Sequence, residues 1–257
     1  MHTIYKIYKG RCMIMNLEKI PTVKPPAGDC FFNGIWDTDI LVNPYDYSNR
    51  KILCDNTYYK QGIRGAISCC LVRKGVMEQL LRDLNLLPSG CTFMIFDAWR
   101  PYNVQYSLYY NYFSSLADSM MYEDSSIHDL REITNQFVSL PERNLDISYV
   151  HSSGGAIDLT IVDSSGIPLD MGSPFDDFTI KSNTDYYEIH ADNQAIRDNR
   201  RILYYAMTQC GFTNLPTEWW HYDYGDKFWS YYTGQSVKYQ SIYYLPNDLE
   251  SEVNIHG

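Results

Sequence analysis

Between residues 73 and 87 the apolar side chains Val76, Leu80, Leu81, Leu84 and Leu87 recur at spacings of three and four, the period of one helix face. Pro88-Ser89-Gly90 stops that helix, and residues 91–96 form a short apolar run between turn signals, a buried strand. Pro101, tolerated in a first helical turn, opens a second helical stretch from Tyr102 to about Met121. Residues 148–150 and Ala156–Val162 are β-branched and apolar, which predicts strands on either side of Ser152-Ser153-Gly154-Gly155. Residues 164–184 read as loop, and 193–210 as a helix with Gly211 at its C-cap. Residues 212–224 and 241–245 read as strands. Residues 21–65, rich in Pro, Asn, Asp and Tyr, predict an extended layer with short strands, so that 1–60 is a variable N-terminal layer. Residues 118–146 carry seven acidic side chains and two Arg, the pattern of a solvated acidic insertion or lid. Strands and helices mix without regular βαβ alternation, so the class is α+β. No boundary divides residues 1–257, which form a single domain.

Composition narrows the partners. With 21 Lys+Arg against 31 Asp+Glu the net charge is −10, which disfavours nucleic acid and anionic membrane. No stretch approaches the ~20 apolar residues of a membrane span. The first twenty residues lack the apolar core and cleavage site of a secretory signal, and Met15 is an alternative start to Met1. Seven cysteines, two of them adjacent (Cys69, Cys70), make a poor disulfide framework and read as reduced thiols in a cytoplasmic protein. The 24 tyrosines suit half-buried walls and clefts without naming an activity.

Three places carry chemistry. Asp158 lies inside the predicted buried strand Ala-Ile-Asp-Leu-Thr-Ile-Val, where a carboxylate costs several kcal/mol unless it is paired or bound to metal. His151, across the Gly-Gly bend, can face the same site; a salt bridge for Asp158 and a surface histidine is the competing reading. His221 sits in Glu218-Trp219-Trp220-His221-Tyr222-Asp223-Tyr224, with Glu218 three residues earlier, so a strand must start or bulge near Glu218 to bring both to one side. A core histidine bonded to backbone is the alternative there. Two His, one Asp and a further Glu are the inventory of a catalytic mononuclear zinc centre: three ligands leave an open position for water, whose pKa the metal lowers, and the Glu takes the proton. His190 and His128 compete for a ligand place. Arg100, in Phe96-Asp97-Ala98-Trp99-Arg100-Pro101, ends a strand where a permanent cation can hold an oxyanion, or can simply pair with Asp97.

These residues resemble a known family. Ser148, His151, Gly154, Ala156 and Asp158 are similar to the S-x-H-x-x-G-x-A-x-D signature of the VanX-like D-alanyl-D-alanine dipeptidases. Glu218–Tyr222, Phe96–Pro101 and Met171-Gly172-Ser173-Pro174-Phe175-Asp176 resemble that family's E-W-W-H-Y, D-x-Y/W-R-P and M-G-S/T-x-F-D blocks, in the family's order over about residues 60–225. The resemblance implies an antiparallel sheet carrying a mononuclear zinc site, with helices packed against it. It implies one Zn2+ per chain on His151, Asp158 and His221, with Glu218 as general base and then acid and Arg100 at the oxyanion. Asp176 would pair with the free ammonium of a dipeptide. The signature Ser falls on Tyr149, with Ser148 one position earlier, and a frequent Arg falls on Ser153. Tyr149 and Ser148 are therefore assigned to the substrate's carboxylate end, and Tyr149 and Tyr222 are the tyrosines expected beside the site. The implied activity is hydrolysis of D-alanyl-D-alanine to two D-alanines, for salvage or for glycopeptide resistance. Two alternatives are a zinc D,D-carboxypeptidase or dipeptidase acting on other wall peptides, and a non-catalytic wall-fragment binder, which Glu218 and Arg100 argue against.

Overall fold

A computed structural model describes residues 3–8, 11–16, 18–26, 39–143, 148–190, 193–245 and 253–256. In chain order its elements are β1 (Thr3–Tyr8), β2 (Arg11–Asn16), β3 (Leu41–Val42), α1 (Pro44–Tyr47), β4 (Leu53–Cys54), α2 (Thr57–Lys60), β5 (Val72–Arg73), α3 (Lys74–Asp83), β6 (Thr92–Asp97), α4 (Tyr102–Ala117), α5 (Ile127–Phe137), β7 (Ala156–Val162), α6 (Tyr186–Ile189), α7 (Gln194–Gln209), β8 (Thr213–Asn214), β9 (His221–Asp223) and α8 (Lys227–Thr233). Strands β1 and β2 form an antiparallel hairpin, and β3 pairs with β5.

The central sheet has the order β4-β6-β7-β9-β8. Its β6-β7, β7-β9 and β9-β8 pairs are antiparallel but β4 runs parallel to β6, so the sheet is mixed where an antiparallel one was expected. The physical reason is the connection: α2 and α3 lie between β4 and β6, and a crossover of that length permits parallel pairing, which a hairpin does not. Strand β7 is buried along its whole length. Ile157, Leu159 and Ile161 join the core with Leu80 of α3 and Leu203 and Ala206 of α7. Alternation then turns Asp158 to the other face.

Three further expectations are corrected. Residues 148–150 are no strand; Val150–Ser153 is a 3-10 turn, ended by Gly154 at φ +72°. A Cβ on Gly154 would lie 2.7 Å from Leu41 Cδ2, so the tight turn needs glycine twice over. Residues 212–224 are not one strand; Pro216 opens a turn between β8 and β9. Residues 241–245 are irregular rather than a strand. Within 118–146 the described residues contain α5, whose first turn is closed by a reciprocal Ser126–Asp129 capping box and which packs on α4. Part of the expected N-terminal layer, residues 27–38, lies outside the described residues.

Candidate metal centre

Strand register assembles the site. In the β7–β9 pairing Asp158 stands opposite His221, and a bulge in β6 between Ile95 and Asp97 places Asp97 opposite Asp158 on the other side. His151 is delivered by the 3-10 turn, which is stitched to the end of β6: Arg100 N–H donates to the His151 carbonyl at 3.2 Å.

The ring nitrogens decide what the cluster can hold. His151 Nδ1–H donates to the Ala98 carbonyl at 2.7 Å, and His221 Nε2–H donates to Asp223 Oδ1 at 3.0 Å. These partners leave lone pairs on His151 Nε2 and His221 Nδ1, which face each other at 3.2 Å. Asp158 adds carboxylate oxygens 3.3 Å from the first and 2.9 Å from the second. Three buried acceptors converging without a proton between them repel unless a cation lies among them, and two imidazoles with a carboxylate suit a borderline divalent ion. His190 instead stacks on Tyr186, and His128 lies exposed on α5, so neither competitor joins the cluster.

Glu218 Oε2 lies 3.8 Å from His221 Nδ1, and the turn that precedes β9 provides this approach. Burial pushes Glu218 up to about 7, a value suited to a base that must return its proton. Arg100 makes the Asp97 pair weighed from the sequence, Nε meeting Asp97 at 2.8 Å, and its Nη2 also meets Asp158 at 3.3 Å. Its Nη1 donates to Gln105 Oε1 at 2.8 Å. Asp176 has φ +59°, a left-handed conformation uncommon outside glycine, and accepts from the Tyr58 hydroxyl at 2.9 Å. Burial lifts its carboxyl to about 7. These groups line one cavity of about 350 Å3.

The remaining expectations divide. Tyr149 lines the cavity, its hydroxyl donating to the Arg100 carbonyl at 3.0 Å. Ser148 does not line it; its hydroxyl bonds Ser241 behind the turn. Tyr222 is fully buried in the core on the opposite face of β9. Sequence reasoning missed Tyr58, Gln105 and Asp223. Only Asp223 carried a usable signal, the two-residue spacing from His221 that shares a strand face.

The family described as D-ala-D-ala dipeptidase, peptidase M15, matches residues 32–242. The chain belongs to this family. It is a metallopeptidase by that membership. A D-alanyl-D-alanine dipeptidase of Synechocystis sp. is 29% identical over 192 residues, covering 68% of this chain and 77% of the relative. One of Escherichia coli K12 is 29% identical over 157 residues, covering 60% and 66%. Among solved structures, a point mutant of the vancomycin resistance D,D-pentapeptidase VanY with Zn(II) covers 66% of this chain and 83% of its own, at 12% identity and a TM-score of 0.35. Among the described residues no helix is long and apolar enough to cross a membrane.

Proposed function

We propose that this metallopeptidase hydrolyses D-alanyl-D-alanine to two D-alanines with one zinc ion per chain. The observation that carries the reading is the convergence of His151 Nε2, Asp158 and His221 Nδ1, with Glu218 and Arg100 lining the same cavity. Those three residues would hold the ion, which when bound supplies Lewis acidity and an activated water. Asp176 receives the dipeptide's ammonium, and the Tyr58 hydroxyl that bonds Asp176 orients it. Glu218 accepts a proton from water as its oxygen joins the carbonyl carbon. Arg100 steadies the charge that builds on the carbonyl oxygen. The C–N bond then breaks, and the proton held on Glu218 passes to the departing amine, leaving two free D-alanines. The free thiols of Cys54, Cys70 and Cys210 support a reducing compartment, the cytoplasm, for this reaction.

The test is D-alanine release from D-Ala-D-Ala by zinc-loaded protein, with Glu218→Gln as control. The variant is expected to bind zinc as wild type does and to lose at least ~100-fold in kcat. Absence of release above that control overturns the substrate, and full activity in the variant overturns the role of Glu218.

A further inference from the structure

Two alanines do not fill the catalytic cavity. Pockets of about 300–1,000 Å3 take drug-sized ligands, and this one is about 350 Å3. The metal cluster, Arg100 and Glu218 form its polar part. The rest of the wall includes Leu108 and Tyr112 of α4, Phe137 at the end of α5, and Phe178. Three of these make a triangle of rings: Tyr112 is 4.7 Å from Phe178 and 5.8 Å from Phe137, and Phe137 is 5.6 Å from Phe178, centroid to centroid. Phe137 and Phe178 are still 38% and 37% exposed, so the triangle offers apolar surface to the cavity and is not closed on itself. Covering such surface with an apolar group is favourable in proportion to the area removed from water.

The position of this bay says which part of a substrate reaches it. Phe178 follows Asp176 by two residues on the same loop. In a dipeptide the ammonium and the first side chain leave one Cα. With the ammonium on Asp176, the first side chain leaves a Cα held next to Asp176, in the cavity that Phe178 also lines, while the second residue lies beyond the scissile bond. We infer that the enzyme prefers dipeptides whose amino-terminal residue carries a bulky apolar side chain, which enters the Tyr112–Phe137–Phe178 bay. This rests on the zinc dipeptidase reading given above. It also gives the acidic segment a task, since α5 supplies Phe137.

The experiment compares kcat/KM of the zinc-loaded wild-type enzyme for D-Ala-D-Ala, D-Leu-D-Ala, D-Phe-D-Ala and D-Ala-D-Phe. In parallel, calorimetry measures binding of the same dipeptides to zinc-loaded Glu218→Gln. D-Phe-D-Ala is expected to exceed D-Ala-D-Ala by about tenfold or more in both readouts, with D-Leu-D-Ala between them. D-Ala-D-Phe should gain nothing. In Phe178→Ala the ratio of D-Phe-D-Ala to D-Ala-D-Ala should fall towards one. Cleavage of D-Ala-D-Ala as fast as or faster than D-Phe-D-Ala overturns the inference and leaves the dipeptidase reading standing. If no dipeptide is cleaved, that reading falls, and equal binding of the two dipeptides in calorimetry overturns the bay as well.

Discussion

Asp158 works because of what each neighbour does with its other end. His221 turns Nδ1 to the cluster only because Nε2–H is taken by Asp223, a carboxylate with no solvent exposure. Such a partner fixes the tautomer and makes the ring a stronger donor to a metal. Asp223→Asn keeps the shape and an acceptor oxygen but removes the charge. It should lower zinc affinity about 10- to 100-fold, read by competition with a chromophoric chelator. Unchanged affinity would make Asp223 a packing residue. At this scale the sequence was informative wherever a residue was chemically out of place. A carboxylate in an apolar strand and a histidine among aromatics both pointed to the site, and Arg100 did so at a strand end. Tyr58 was invisible, because its role arises from a contact with Asp176 across 118 residues of chain, which no local pattern encodes.

Elements with a period were legible and elements defined by their neighbours were not. Helix α3 follows from apolar spacing, α4 from Pro101 at its start and α7 from the Gly211 that ends it, whereas the parallel pairing of β4 with β6 follows from a crossover. The last residues are a case of the second kind. Residues 253–256 lie along residues 65–68, with Ser68 N–H donating to the Asn254 carbonyl at 2.9 Å and Gly65 N–H to the His256 carbonyl at 2.8 Å. His256 then packs its ring against Tyr59 at 4.1 Å between centroids, and its Nε2–H donates to the Tyr59 carbonyl at 2.7 Å. Tyr59 neighbours Tyr58 in α2, so the tail braces the helix that holds Asp176 in place. Loss of one hydrogen bond and one ring pair is worth about 1–3 kcal/mol, of which a part reaches Asp176 through α2. His256→Ala should therefore raise KM for the dipeptide on the order of fivefold, with kcat and bound zinc nearly unchanged. His256→Gln, which keeps an N–H donor, should recover part of the loss. Steady-state kinetics with metal analysis checks both, and an unchanged KM would confine the tail to general stability.

For the whole molecule the informative residue is one the periodicity passed over. The apolar stripe of α3 reads Val76, Leu80, Leu84, Leu87, but the helix tightens into a 3-10 turn at Leu84. Asp83, seven residues after Val76 and three after Leu80, shares their face and is fully buried, while Leu84 is only partly so. Burial pushes the Asp83 carboxyl up to about 8, and the nearby Cys210 thiol, just past α7, is pushed up to about 12. An acid whose pKa is higher folded than unfolded binds more protons in the native state. Its effect on stability is therefore absent below the unfolded pKa near 4 and grows as pH rises towards 8. Each pH unit in that window removes about 1.4 kcal/mol from the folded state. Asn matches the shape of the neutral acid and cannot ionise. Asp83→Asn should thus melt slightly above wild type at about pH 5, and the gap should widen by roughly 7–15 °C at about pH 8. Taking the difference between the two proteins cancels the other groups that titrate, including the growing self-repulsion of a chain already at −10. A gap that stays constant with pH, followed by thermal denaturation in matched buffers, would mean that Asp83 is ionised throughout and that the contact between α3 and α7 tolerates its charge.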